Sequence, residues 1–179
     1  MQKQISSTLK NIEPKTFKRD GLKNTPARVA KAQDELYSGY KKTPKEVLTT
    51  FDSEGYNGLV ILSDIEFFST CEHHMLPFYG KAHIGYIPDT KIVGISKLAR
   101  ITEIFAKRLQ NQERITQQIA DSLEKELKPL GVMVVLQGEH FCMKARGVQK
   151  NAIMTTSVIT GRFEQSESLR NEFLKLAIK

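Results

Sequence analysis

Tyr79-Gly80-Lys81-Ala82-His83-Ile84-Gly85-Tyr86-Ile87 is the stretch whose reading decides the fold class. Ala82, Ile84 and Tyr86 fall on one face of an extended chain, His83 and Gly85 on the other. That alternation is the two-residue period of a strand. Immediately upstream, Leu59-Val60-Ile61-Leu62 and Ile65-Glu66-Phe67-Phe68-Ser69 have strand composition. Downstream, Pro88-Asp89-Thr90 reads as a turn and Ile92-Val93 as a short return strand.

Beyond that return the periodicity changes. Ser96 is placed to cap a helix whose apolar stripe is Leu98, Ile101, Ile104, Phe105 and Leu109. A second helix follows Gln110-Asn111, with Ile115, Ile119, Leu123 and Leu127 four apart, and Pro129 and Gly131 stop it. Val132 to Leu136 then reads as a strand that continues toward Cys142. Ala152 to Phe163 reads as the last strand and Glu167 to Ile178 as a C-terminal helix. At the other end, Thr25-Pro26-Ala27-Arg28 reads as an N-cap with proline at the first helical position, and Gly39 closes that helix. Thr43-Pro44-Lys45-Glu46 repeats the start signal for a shorter helix, and residues 1–20 read as a loose lead or weak helix.

Helices, strands, two helices, strands and a helix, in that order, predict an α+β fold. Its antiparallel four-stranded sheet carries two helices between the strand pairs, rather than alternating βαβ units. Residues 1–50 are expected to form an N-terminal helical segment and 51–179 the catalytic domain, as one structural unit. No repeat or low-complexity tract divides the 179 residues.

Composition narrows the function classes. Hydrophobic residues make up 40% and charged residues 26%, enough for a buried core and too apolar for wholesale disorder. No apolar run approaches the roughly 20 residues that span a bilayer, and Met1 to Asp20 lacks an apolar signal core. The expectation is a cytoplasmic protein with no membrane partner. Two cysteines cannot staple a domain of this size. The formal net charge is +7, and residues 1–45, with eleven basic and four acidic side chains, carry all of it. Without interleaved aromatics this reads as a solvated helical face rather than a nucleic-acid-binding arm.

Both cysteines and three of the four histidines fall in two short motifs, Cys71-Glu72-His73-His74 and His140-Phe141-Cys142. Thiolate and imidazole ligands at such spacings suit Zn²⁺. Cys71 and His74 can meet one ion on a turn, and His140 and Cys142 share a face if their segment is extended. Four protein ligands would make a closed structural site and three would leave a position for water. Spacing alone leaves both open, because His73 and His140 can be ligands or acid–base groups. Lys97 and Arg100 lie near a helix N-terminus, which favours an anion, and Arg146 adds a cation after the second motif.

Ser69-Thr70-Cys71-Glu72-His73-His74-Met75-Leu76-Pro77-Phe78 resembles the signature of the zinc-dependent type I GTP cyclohydrolases. The blocks Gly94-Ile95-Ser96-Lys97-Leu98-Ala99-Arg100, Gln112-Glu113-Arg114, His140-Phe141-Cys142-Met143 and Arg146-Gly147-Val148 are similar to the family's others. So is the helix beginning Thr25-Pro26-Ala27-Arg28. The resemblance runs in order from about residue 20 to the end; Gln137-Gly138 ahead of Glu139 departs from the pattern.

The resemblance implies conversion of GTP and water to 7,8-dihydroneopterin triphosphate and formate, at the start of folate or other pterin synthesis. It implies that Cys71, His74 and Cys142 hold one zinc ion per subunit. His73 and His140 are then left as acid–base groups, with Ser96 as a further active-site position. It implies that Lys97, Arg100 and Arg146 hold the triphosphate and that Gln112 and Glu113 bind guanine. The implied architecture is the tunnel fold, assembled as a homodecamer of paired pentamers with active sites between subunits. A related tunnel-fold enzyme acting on another purine or pterin is the nearest alternative. A zinc-stabilised nucleic-acid-binding module would leave the Ser96–Arg100 and Arg146 blocks without a purpose.

Overall fold

The computed structural model describes residues 1–178. In chain order the elements begin with helices α1 (Gln2–Ile12), α2 (Asp20–Lys23), α3 (Thr25–Leu36) and α4 (Pro44–Val47). Strands β1 (Thr50–Asp52), β2 (Val60–Cys71), β3 (Pro77–Ile87) and β4 (Lys91–Val93) follow, then α5 (Ile95–Ala106), β5 (Leu109–Gln110) and α6 (Gln112–Leu127). The chain ends with β6 (Gly131–His140), α7 (Phe141–Lys144), β7 (Met154–Ile159), α8 (Arg162–Gln165) and α9 (Glu167–Ala177).

The class is α+β, as the element order predicts. Strands β2, β3, β6 and β7 form an antiparallel sheet in that order, and two-residue β5 extends its edge parallel to β2. The two stretches read as separate strands, 59–62 and 65–69, are one strand with a bulge. Leu62 pairs with Ile84 but Ile65 with Ala82, so β2 carries one extra residue, with Asp64 at φ 55°. The bulge inverts the alternation. Val60 and Leu62 face the main core before it, Ile65, Phe67 and Cys71 after it.

Helices α5 and α6 cover that face. Leu98 and Ile101 from α5 and Ile115, Ile119 and Leu123 from α6 are buried against Phe67, Ala82, Ile84, Tyr86, Val132, Val134 and Leu136. Truncating any one of the buried leucines or isoleucines to alanine would cost about 2–5 kcal/mol. On the opposite face α8 and α9 cover one end only, where Phe163 and Phe173 pack on Ile87, Met133 and Val135. The other end leaves Phe68 65% exposed, stacked on Tyr79 with ring centroids 5.6 Å apart.

Several boundaries differ from the sequence expectations. Ser96 does not cap α5: Gly94 is the N-cap, two residues earlier, where its N–H donates to the Thr49 carbonyl. Asn24, not Thr25, precedes α3, and Thr25 donates instead to the Gly21 carbonyl. Ile92 and Val93 do not return onto β3 but pair with β1 in a separate two-stranded sheet. Leu109 leaves the helical stripe for β5. The segment after His140 is not extended, since Cys142 lies in the single turn of α7. The last strand is confined to Met154–Ile159, and the lead forms helix α1.

Arg108 ties the N-terminal helices to α5, donating to the Gly39 and Lys42 carbonyls and lying over the Tyr40 and Phe105 rings. Among the described residues no helix is long and apolar enough to cross a membrane.

Candidate active site

The C-terminal ends of β2 and β6, the start of β3 and the first turn of α6 meet at one end of the sheet, and all the chemistry-bearing motifs but one converge there. Cys71 closes β2, and Glu72 to Leu76 form the hairpin turn into β3. The Cys71 N–H donates to the Leu76 carbonyl and the Met75 N–H to the Cys71 carbonyl; Met75 takes the left-handed φ of 53° that the tight turn requires. The turn is also pinned from outside. The Glu72 N–H donates to the Gln110 carbonyl, and Arg114 grips the Glu72 carboxylate with two nitrogens at 2.6 and 3.0 Å. That bidentate fork holds the Glu72 carboxyl below the usual carboxylate range.

This turn puts Cys71 and His74 beside Cys142. The ligand atoms of the three lie within 4.8 Å of one another, and Cys71 Sγ is 3.8 Å from His74 Nδ1. His73 Nδ1 is equally close to Cys71 Sγ, at 3.8 Å, but His73 is not part of the three-residue group. Burial, and then the neighbouring Cys71, push the Cys142 thiol up. Two thiols crowded together with one imidazole are the donor set a thiophilic divalent ion requires, and the ion's charge would reverse the effect of that crowding. The residues present therefore fit a metal ion, with three ligands supplied by one chain.

His140 stands apart from the group. Its ring stacks on Phe78 with centroids 4.5 Å apart and planes 7° from parallel, and its Nε2 lies 3.0 Å from Gln112 Oε1. Burial holds its pKa below the usual imidazole range, opposed by the negative charge of Glu113. Gln112 is fully buried, whereas Glu113 points outward from the helix start. Asn111 caps that helix by accepting from the Arg114 N–H at 2.8 Å.

The cations divide. Arg146 is exposed just past α7 and its charge reaches Cys142. Ser96, Lys97 and Arg100 lie on α5. Arg100 lines a cleft of about 340 Å³ with Lys42, Val47, Glu103 and Lys107. Among the described residues no hydrogen bond or ion pair joins Ser96, Lys97 or Arg100 to Cys71, His74 or Cys142 in the same chain.

Three features escaped the sequence reading: the Glu72–Arg114 fork, the Phe78–His140 stack and the grip of Gln112 on His140. Every residue involved sits inside a quoted motif. The fork joins positions 42 apart in the chain, a pairing that only the strand register reveals.

Residues 1–178 match the family described as GTP cyclohydrolase I. The GTP cyclohydrolase 1 of Chlorobium phaeovibrioides is 54% identical over 160 residues, 88% of this chain and 72% of the relative. That of Wolinella succinogenes is 54% identical over 158 residues, 87% of this chain and 84% of the relative. That of Bacteroides thetaiotaomicron is 55% identical over 160 residues, 88% of this chain and 81% of the relative.

Proposed function

The chain belongs to the GTP cyclohydrolase I family, and from that premise we propose how its residues divide the work of the reaction. The activity is that of a GTP cyclohydrolase I, a hydrolase acting on GTP in folate or pterin synthesis. The observation that carries the assignment of roles is the clustering of Cys71, His74 and Cys142, with His140 turned away from them toward Gln112.

Cys71, His74 and Cys142 would hold a zinc ion. Zinc so held supplies Lewis acidity toward a water at its open fourth position. The reaction adds water at guanine C8, opens the imidazole ring, releases formate, then rearranges the ribose and closes the pterin ring. Protons move at every stage, and His73 and His140 are the groups to carry them. His140 is suited to accept a proton, because burial keeps its imidazole neutral near pH 7. His73 is exposed beside Glu72, with Nε2 3.8 Å from that carboxylate. His140 would serve the ribose side and His73 the purine nitrogen.

Glu113, exposed at the start of α6, would accept from guanine N1–H and N2–H together. Arg146, Lys97 and Arg100 would hold the triphosphate, with Ser96 beside them. The last three lie on α5 and are not part of the metal group; as the family resemblance implies, the active site would lie between subunits, with a neighbouring copy completing it. The uncovered Phe68–Tyr79 end of the sheet supports association into the homodecamer.

Incubating the zinc-loaded protein with GTP tests the reading. Formate should appear in equal amount to a pterin that fluoresces after oxidation. Release of phosphate or guanine without formate would contradict it.

A further inference from the structure

Gln112 sits where family resemblance expects a contact to guanine, yet its side chain is fully buried and every polar atom on it is engaged inside the protein. Its Nε2 lies 3.0 Å from the Leu136 carbonyl oxygen, 3.0 Å from the Met154 carbonyl oxygen and 3.1 Å from Thr156 Oγ1. Carbonyl oxygens only accept, so this end of the amide must be the NH₂. Exchanging the two ends would set a buried oxygen against two others.

The hydroxyls agree. Thr116 Oγ1 is 2.8 Å from the Gln112 carbonyl oxygen and must donate to it. Thr156 Oγ1, 2.7 Å from Thr116 Oγ1, must therefore donate to Thr116, which leaves its lone pair for the Gln112 amide. Two amide hydrogens thus face three acceptors, and none remains for a substrate.

The remaining atom, Gln112 Oε1, is an acceptor 3.0 Å from His140 Nε2. Its partner must carry a hydrogen. Flipping the imidazole would put a carbon there and lose the bond. With Nε2 pinned and the ring plane fixed against Phe78, the direction of Nδ1 is fixed as well. Among the described residues Nδ1 makes no hydrogen bond.

We propose that Gln112 is a positioning residue: its Oε1 keeps a hydrogen on His140 Nε2 and fixes the ring, so that Nδ1, the nitrogen without a protein partner, is the one presented to the substrate. The inference rests on the reading of His140 as an acid–base group. On taking a proton at Nδ1, His140 becomes a cation with both nitrogens protonated. The Nε2–H bond to Gln112 persists and becomes charge-assisted. Returning the Nδ1 proton restores the starting tautomer, so the cycle balances without a second carrier. A ring free to turn, or one in the other tautomer, would present the wrong nitrogen.

The test uses the zinc-loaded enzyme with ¹⁵N-labelled histidine at pH 8, the His140 signals being assigned by their loss in His140→Gln. The wild type should show a protonated Nε2 and a bare Nδ1. In Gln112→Met, which keeps bulk and removes the acceptor, kcat should fall about tenfold to a hundredfold, with zinc content unchanged and the Kd for GTP within threefold. In Gln112→Met the His140 ¹⁵N signals should also lose the fixed Nε2–H state and report both tautomers, a change that a purely structural role would not produce. A wild-type His140 protonated at Nδ1 overturns the proposal, and so does a tenfold or greater loss of GTP affinity in Gln112→Met. Should Gln112→Met fail to fold, the wild-type tautomer still decides. Absence of formate release by the wild type would sink the cyclohydrolase reading and leave the tautomer result standing.

Discussion

Between Asn111 and Arg114 the four side chains have different tasks. Asn111 caps the helix, Gln112 holds His140, and Arg114 grips Glu72. Glu113 faces outward, and among the described residues it makes no hydrogen bond, although its charge reaches both His140 and Arg114. A carboxylate presented this way matches guanine, whose N1–H and N2–H both donate on one edge. Adenine offers an unprotonated N1 and no 2-amino group, so ATP would face acceptor with acceptor. Charge-assisted bonds of this kind are worth roughly 1.5–3 kcal/mol each, and a site built around them can reject an analogue by roughly 10⁴-fold. Glu113→Gln replaces one acceptor oxygen with a donor. It should weaken GTP binding about tenfold to a hundredfold while zinc content stays unchanged. GTP affinity equal to the wild type would reduce Glu113 to a favourable charge at a helix start.

At the scale of elements, the half-covered sheet face has its own pH signature. His83 on β3 is buried beneath the C-terminal region, with 2% of its surface exposed, its Nδ1 accepting from the Asp64 N–H at 3.3 Å and its Nε2 unpaired. Burial pushes its pKa down, and the charges that face it, Asp64 and Lys81, oppose each other. The folded protein therefore keeps His83 neutral where the unfolded chain, at about pH 6.5, already binds a proton. Its contribution to stability is complete above that pH and is lost as the pH falls below it. The wild-type Tm should drop between pH 7.5 and 5.5 by several degrees more than that of His83→Gln, which keeps an acceptor and does not titrate. Equal drops would place the acid sensitivity elsewhere.

That His83 lies opposite Ala82 and Ile84 was legible in the alternation of one nine-residue stretch, and α6, its stop at Pro129 and the start of α4 at Thr43-Pro44 were legible too. These features are set by nearest neighbours along the chain. The single strand β2 was not legible, because the bulge at Asp64 inverts the alternation that identifies a strand. The pairing of β4 with β1 instead of β3 depends on a contact some forty residues away. The turn of α7 was hidden too, since Phe141-Cys142-Met143 has strand composition and only its place past the sheet's end makes it coil. In the site, the residue types and their grouping were readable, whereas the partner of each side chain was not.

For the whole molecule, a sheet whose aromatic end is bare, together with the family resemblance that puts active sites between subunits, predicts that the working unit is larger than one chain. Light scattering at micromolar concentration should give a mass near ten times the 20.3 kDa subunit; an active monomer would defeat the shared-site arrangement. The central claim concerns what each subunit holds: a three-ligand metal site, open on one side, with His140 outside it. Metal analysis of purified His140→Ala and Cys142→Ala, alongside turnover of GTP, tests this most directly. The account predicts that His140→Ala retains about one zinc per subunit and loses turnover, while Cys142→Ala loses both. Loss of zinc from His140→Ala would contradict it, making His140 a fourth ligand and the site a closed structural one.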